Sequence, residues 1–377
     1  MKKTVKIVCI ALACVFGAFA LTVGGYVAYV ALQYSRIADN KTLDVLHGRD
    51  SEVRVGESYS VLSYNLGFGA YSPAYSFFMD TGVMDDGASV KGKYAKGMNR
   101  ADVDKNVRGQ IDVLLAQSAD FCFLQEADEK ADRSYDINMV SRIREAMPDY
   151  GSTYAENFHT AYLLYPFGDP IGKTDAGMLT LSRYKVESAV RRSFPVTKSF
   201  IDKLFDLDRC FSVHYLPVAD SDKKLVLIHL HMSAYDKGGT IRAKQLAMLN
   251  AVLKEERDKG NYVIAGGDFN HCLIADKFET DELALQAFAS RQRTPDWVKN
   301  SVWHASELTD GFSIAADESA ATCRGADIPY TRGVNYTTVV DGFLVSDNVC
   351  IEEEKTVDTA FAYSDHNPVL LRFRLIA

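Results

Sequence analysis

Residues 262–270 read Tyr262-Val263-Ile264-Ala265-Gly266-Gly267-Asp268-Phe269-Asn270. The first four form a short apolar run of β type. Two glycines then let backbone or substrate approach closely. Asp268 and Asn270 follow two positions apart, so on an extended segment both point into one site. The same construction recurs along the chain. Val61-Leu62-Ser63-Tyr64 leads to Asn65, and Phe121-Cys122-Phe123-Leu124 to Gln125-Glu126. Leu225-Val226-Leu227-Ile228 leads to His229-Leu230-His231, and Val339-Val340 to Asp341, with Phe343-Leu344-Val345 beyond. Tyr363-Ser364-Asp365-His366 precedes a strand in which Leu371, Phe373 and Leu375 face one way and Arg372 and Arg374 the other.

A single Asn or Asp after a strand is ordinarily a turn residue. A lone His is ordinarily a satisfied core group. Six apolar runs, each with a polar end, are harder to dismiss. Helical patterns lie between some of them. Residues 102–117 place Val103, Val107, Ile111 and Leu114 or Leu115 on one stripe. Thr240 is placed to cap a helix whose Ile241, Leu246, Leu249 and Leu253 face a core. Strands outnumber helices, which predicts two packed sheets flanked by helices. Residues 70–100 and 272–336 read as long loops of the kind that shape a substrate site; the second holds Trp297, Trp303 and the polar run from Thr322 to Asp327.

The residue types at these ends suit one chemistry. Carboxylate and amide oxygens are hard ligands for Mg²⁺ or Mn²⁺, and Asn65, Glu126 and Asp365 supply them. His366 sits beside Asp365, so a base would neighbour the cation. Asp341 is a second carboxylate available to orient and charge the His366 imidazole. His231 can donate to a developing oxyanion. Together these fit in-line attack of water on phosphorus. Zinc is a competing reading, since His229-x-His231 puts two imidazoles on one face of a strand. Met232-Ser233-Ala234 follows in place of further ligands, and no Cys-rich cluster is present.

In this order and spacing, Asn65, Leu124-Gln125-Glu126, His231, Gly267-Asp268-Phe269-Asn270, Asp341 and Ser364-Asp365-His366 resemble the endonuclease/exonuclease/phosphatase superfamily of deoxyribonuclease I-like metal-dependent phosphoesterases. Gly177 to Tyr184 resembles that family's glycine-led strand ending in Ser-Arg-Tyr. The resemblance implies an α+β fold, a four-layer αββα sandwich of two mixed β-sheets with the site at one end. It implies Mg²⁺-dependent hydrolysis of a phosphoester. Glu126 is then the main metal ligand, with Asn65 and Asp365 nearby. Asp268 and Asn270 bind the phosphate on the metal side or orient the water. His366 is the base, backed by Asp341, and His231 contacts the scissile phosphate. Activation of water by Asp268 or by His366 stays open. His229 stands where the family usually has Asn, which removes a hydrogen bond rather than the catalytic histidine. The tyrosine that some members use near the phosphate has four candidates, Tyr135, Tyr154, Tyr162 and Tyr165.

The amino terminus is of another material. Lys2, Lys3 and Lys6 precede an uncharged run of 26 residues from Ile7 to Leu32. As a helix it measures about 39 Å against about 30 Å of bilayer hydrocarbon. The lysines predict a cytoplasmic amino terminus and an extracytoplasmic catalytic domain. A cleaved signal ending at Ala18-Phe19-Ala20 and lipidation at Cys14 are the rival readings. The chain divides into an anchor (1–34), a polar stalk (35–57) and one catalytic domain (58–377). Its 42 basic and 50 acidic residues give −8, and without the three anchor lysines −11. That weighs against a protein that coats nucleic acid. An apolar share of 47% excludes wholesale disorder. Seven cysteines without ligand spacing are expected to be free thiols, with one disulfide open to an extracellular domain. The expected partners are a phosphoester, as a lipid headgroup, small phosphodiester or nucleic acid, and the membrane; no protein partner is evident. The alternatives are an extracellular endo- or exonuclease and an inactive binding protein of the same fold.

Overall fold

The computed structural model describes residues 2–196, 207–234, 240–299 and 301–376. In chain order the elements are α1 (Lys2–Gln33), β1 (Lys41–Thr42), β2 (Ser58–Asn65), β3 (Thr81–Val83), β4 (Ser89–Lys91), α2 (Arg100–Gln117), β5 (Phe121–Ala131), α3 (Met139–Ala146), β6 (Gly151–Leu163), β7 (Gly172–Ser182), β8 (Ser188–Ser193), β9 (Cys210–Pro217), β10 (Lys224–His231), α4 (Thr240–Asp258), β11 (Tyr262–Asp268), α5 (Asp281–Leu285), α6 (Asp296–Lys299), β12 (Phe312–Ala315), β13 (Cys323–Arg324), β14 (Thr337–Thr338), β15 (Asp341–Ser346), β16 (Val349–Thr356) and β17 (Val369–Leu375). One sheet runs β1-β8-β9-β10-β11-β15-β12 and the other β16-β17-β2-β5-β7-β6. Both are mixed: β10–β11 and β2–β5 pair in parallel and their other neighbours antiparallel.

Alternation along the strands builds the layers. In β10, Leu225 and Leu227 enter a core between the sheets, while Val226, Ile228 and Leu230 pack with Leu249 and Leu253 of α4. In β5, Phe121 and Phe123 join the inter-sheet core, while Cys122 and Leu124 pack with Val103, Val107 and Leu114 of α2. The order is therefore helix, sheet, sheet, helix. Asn99 caps α2 by accepting from the Asp102 N–H at 3.0 Å, two residues ahead of the helix expected from periodicity. The buried face of α4 is less apolar than its leucines suggest, since Arg242, Gln245 and Glu256 are also buried. Leu371, Phe373 and Leu375 point inward as expected, and Arg372 and Arg374 pair outside with Glu353 and Glu352.

Parallel strands β2, β10 and β11 finish at one rim. The antiparallel β15 starts there, and β17 starts just beyond it. Asp341 opens β15 and Asp365-His366 lie in the turn before β17, so these are strand beginnings rather than ends. Gln125-Glu126 lie within β5, where the pairing with β7 shifts between Leu124 and Ala127.

The helix α1 is long and apolar enough to span a membrane from Lys3 to Gln33, and a signal sequence passes the same test. Residues 35–57 run against the domain: β1 pairs with β8, Leu46 bridges Ser152, and Val53 is fully buried. All seven cysteines are free.

Two core histidines tie layers together. His214 donates Nδ1–H to the Leu227 carbonyl (3.1 Å), which leaves Nε2 to accept from Thr153 Oγ1 (2.7 Å). Burial lowers its pKa to about 4. The folded state thus binds this proton less well than the unfolded chain, whose histidine titrates near 6.5. The resulting stability, on the order of 3 kcal/mol, is complete above about pH 6.5 and is lost as pH falls towards 4. Urea unfolding of the full chain in detergent should show that fall, with a midpoint slope shallower by about one proton in His214→Gln.

Candidate active site

Asp268 is the centre of the rim. It lies opposite His231 of β10 on one side and Asp341 of β15 on the other. Gly267 precedes it at φ +144°, and a Cβ there would stand 2.0 Å from the Leu230 carbonyl oxygen of β10. A glycine is required for β10 to approach so closely. Asp268 is 1% exposed. Its Oδ2 accepts from Asn65 Nδ2 at 3.0 Å, lies 3.3 Å from His231 Nε2 and 3.9 Å from His366 Nε2. Its Oδ1 accepts from the Asn270 N–H at 2.8 Å. Burial pushes its pKa up to about 7 against the pull of His366, and the Asp341 carboxylate adds to the rise.

His366 donates Nδ1–H to Asp341 Oδ2 at 2.8 Å. Burial alone lowers an imidazole, but the Asp341 carboxylate and then the Cys323 thiol outweigh it, and the pKa ends well above the ordinary value. His231 goes the other way. Burial, then the charges of Arg209 and His366, hold it well below the usual range, so it is neutral. One ring is thus a cation and its neighbour a neutral donor.

Glu126 reaches the rim through the irregularity in β5. Its φ is +52°, in the left-handed region that a non-glycine residue seldom occupies. The bulge turns its carboxylate towards the pocket. Asn65 Nδ2 lies 3.5 Å away. Burial raises the Glu126 pKa, with Arg133 opposing and Asp365 adding to it. Asp365 sits over Gly67, where a Cβ would meet its Oδ1 at 2.7 Å and φ is +50°. Ser364 Oγ bonds the Asn65 carbonyl at 2.7 Å, which ties the turn before β17 to the end of β2.

A cavity of about 170 Å³ opens here, and Asn65, Glu126, His231, Asp268, Asn270, Asp365 and His366 all line it. Asp341 lies behind His366. All eight residues expected from the sequence therefore meet at one place. Glu126 and Asp365 offer hard carboxylate oxygens. The Asn65 Oδ1 accepts from the Gly67 N–H at 3.0 Å, which leaves its second lone pair for a cation. Asp268, Asp341 and His366 also have potential ligand atoms within 4.8 Å of one another. The raised pKa of His366 favours a proton network in that trio, while its Nε2 stays the nitrogen that could ligate a cation, since Nδ1 donates to Asp341.

Other residues were not foreseen. Tyr71, Arg133, Arg209 and Arg324 line the cavity, and none of the four tyrosines favoured from sequence does so. Arg133 is held in a two-pronged pair by Asp128 (2.7 and 3.1 Å). Arg324 donates to the Ser72 carbonyl at 3.1 Å. Arg209 is 5% exposed, and its Nε and Nη1 have no hydrogen-bond partner among the described residues. The two long loops supply Tyr71, Phe77 and Asp80, and Trp297, Cys323 and Arg324. His229 is no metal ligand. It stacks on Phe123 at 4.9 Å, and its two ring nitrogens bond Gln125 and Thr180 across the sheets. A larger cavity of about 330 Å³ is lined among others by Glu156, His159, Asp175 and Arg191, and there His159 Nδ1 lies 2.6 Å from Asp175 Oδ1 and 3.4 Å from Glu156 Oε1. The smaller one holds the chemistry.

The profile of the Endonuclease/Exonuclease/phosphatase family matches residues 62–366, and the chain belongs to that family of metal-dependent hydrolases of phosphoester bonds. The fold is similar to an endonuclease/exonuclease/phosphatase from Beutenbergia cavernae DSM 12333, with 15% identity, TM-score 0.55, and 85% of this chain and 72% of that one covered. It is also similar to TDP2 from Caenorhabditis elegans, with 14% identity, TM-score 0.50, and 86% and 77% covered. No curated protein matches in sequence.

A buried guanidinium with unmet donors is costly in the free protein, and an anion in the cavity would satisfy it. Arg209→Met should therefore lower kcat/KM on an aryl phosphoester about tenfold or more while leaving the Tm equal or higher. Calorimetry beside initial rates measures both.

Proposed function

We propose that residues 58–377 are a Mg²⁺-dependent phosphoesterase that hydrolyses a phosphodiester or phosphomonoester by in-line attack of water, held at a membrane by residues 1–34. Mn²⁺ is a fitting substitute. The observation that carries the reading is the buried carboxylate of Asp268, 3.0 Å from Asn65, 3.3 Å from His231 and 3.9 Å from His366. The oxygen-rich donor set of Glu126 and Asp365 fits a hard divalent cation, which when bound polarises a phosphoryl oxygen and offsets negative charge.

The protein's own groups divide the remaining work. Asp268, with its pKa drawn up to about 7, takes the proton of the attacking water. Asn65 and the Asn270 N–H hold that carboxylate in place. His366, kept protonated by Asp341, directs Nε2–H at a phosphoryl oxygen. Neutral His231 and the unpaired edge of Arg209 add donors to the same charge as it grows. The three lysines before the apolar run favour an extracytoplasmic domain. A net charge of −11 beyond them favours a lipid headgroup or small phosphodiester over nucleic acid.

The full chain in detergent micelles, supplied with Mg²⁺, Mn²⁺ or EDTA, tests this on a bis-aryl phosphodiester, plasmid DNA and sphingomyelin. Turnover should vanish with EDTA. His366→Ala and Glu126→Gln should each lose about a hundredfold or more. Cleavage of the plasmid alone would select the nuclease reading. Turnover indifferent to EDTA and to both substitutions would overturn the mechanism.

A further inference from the structure

The apolar run of α1 begins at Ile7, and the twenty residues from there to Tyr26 rise about 30 Å, the thickness of bilayer hydrocarbon. Tyr26 and Tyr29 then fall at the polar boundary, the level at which tyrosines collect in membrane proteins. Those two rings grip the end of β6. Tyr26 Oη donates to the Tyr162 carbonyl at 3.2 Å and accepts from the Leu164 N–H at 3.0 Å. Tyr29 Oη accepts from the Tyr162 N–H at 3.3 Å. Val30 and Ala161 are buried beside them. Residues 161–164 are thus fixed at the height of the boundary.

The loop that leaves this clamp is apolar and bare. Leu164 is 41% exposed, Tyr165 56% and Phe167 85%. Isolated exposed apolar side chains are common, but three within four positions beside a membrane helix form a patch. A contact path leads from it to the catalytic cavity. Tyr165 packs against Phe167 (6.1 Å between centroids) and against Phe78 (5.8 Å). Phe78 packs against Phe77 (5.1 Å), which lines the cavity. Met79, in the same segment, is 56% exposed.

We infer that the loop 162–167 seats in the bilayer boundary that α1 enters, so that the cavity opens beside the membrane surface and its substrate is the phosphoester of a membrane-resident lipid. The inference rests on the reading of α1 as a retained anchor and of the cavity as a phosphoesterase site. The occupant is lipid because the patch is continuous with a helix whose apolar length stands uncovered by the rest of the chain. Leucine, tyrosine and phenylalanine gain free energy at that depth, and a lipid's phosphate lies just above it.

The full chain in vesicles of phosphatidylcholine with a minor share of phosphatidylglycerol, with or without brominated acyl chains, decides the matter. Phe167→Trp places a fluorophore on the loop, and Asp222→Trp places one in the turn before β10, at the opposite rim. Relative to the unsubstituted chain, bromine should remove roughly half or more of the emission added by Phe167→Trp and almost none of that added by Asp222→Trp. Met79→Trp should fall between them. Tyr165→Trp repeats the measurement should Phe167→Trp fold poorly. Equal, weak quenching of all variants in chain that resists an alkaline carbonate wash overturns the inference and leaves the anchor standing. Chain that washes off the vesicles overturns both.

Discussion

Removing a carboxylate from water costs several kcal/mol unless charge and hydrogen bonds replace the lost hydration. Asp268 is such a group, and residues from several strands meet around it. Asn65 arrives from β2, His231 from β10 and His366 from the turn before β17, while the Asp341 carboxylate of β15 works against them. The compensation is incomplete, and its pKa stays near neutrality. A fully satisfied Asp268 would stay ionised well below neutrality, and the pairing of β10, β11 and β15 holds it short of that state.

The sheets carry out that task through pairing rules rather than local side-chain choice. Each has one parallel pair, β2–β5 and β10–β11, bridged by a helix-bearing crossover that includes α2 or α4. Ligand sites of open α/β sheets lie at the carboxyl ends of such strands. Here two such ends face one another across the inter-sheet core, and each contributes part of the site.

Much of this was legible in the sequence. Apolar runs with polar ends identified the strands that carry the site, and the motifs from Asn65 to His366 identified the eight residues that meet. What escaped was whatever depends on closure of the chain upon itself. Periodicity gave no sign that Glu126 sits in the interior of β5 at positive φ, since a bulge is a property of pairing. Arg209 lies outside any recognisable pattern, and Tyr71 and Arg324 are legible only as parts of two long loops; tertiary contact brings all three to the cavity. The polar run from Thr322 to Asp327 stands out in the sequence, but its reason is tertiary: Cys323 bridges His366, and the Arg324 N–H bonds the Asp365 carbonyl at 3.0 Å. Residues 35–57 look like a polar tether, yet Val53 is fully buried in the domain, a contact no composition reveals.

The core between the sheets has a role besides cohesion. Phe123, Leu227, Ile264 and Phe343 fill the seam on which the two halves of the site are hinged. A void opened there would let one sheet settle against the other by fractions of an ångström, a tolerable change for a packed interior but a large one for a proton passing between fixed oxygens. The seam is therefore an alignment device, and wear in it would silence the enzyme well before it loosened the fold.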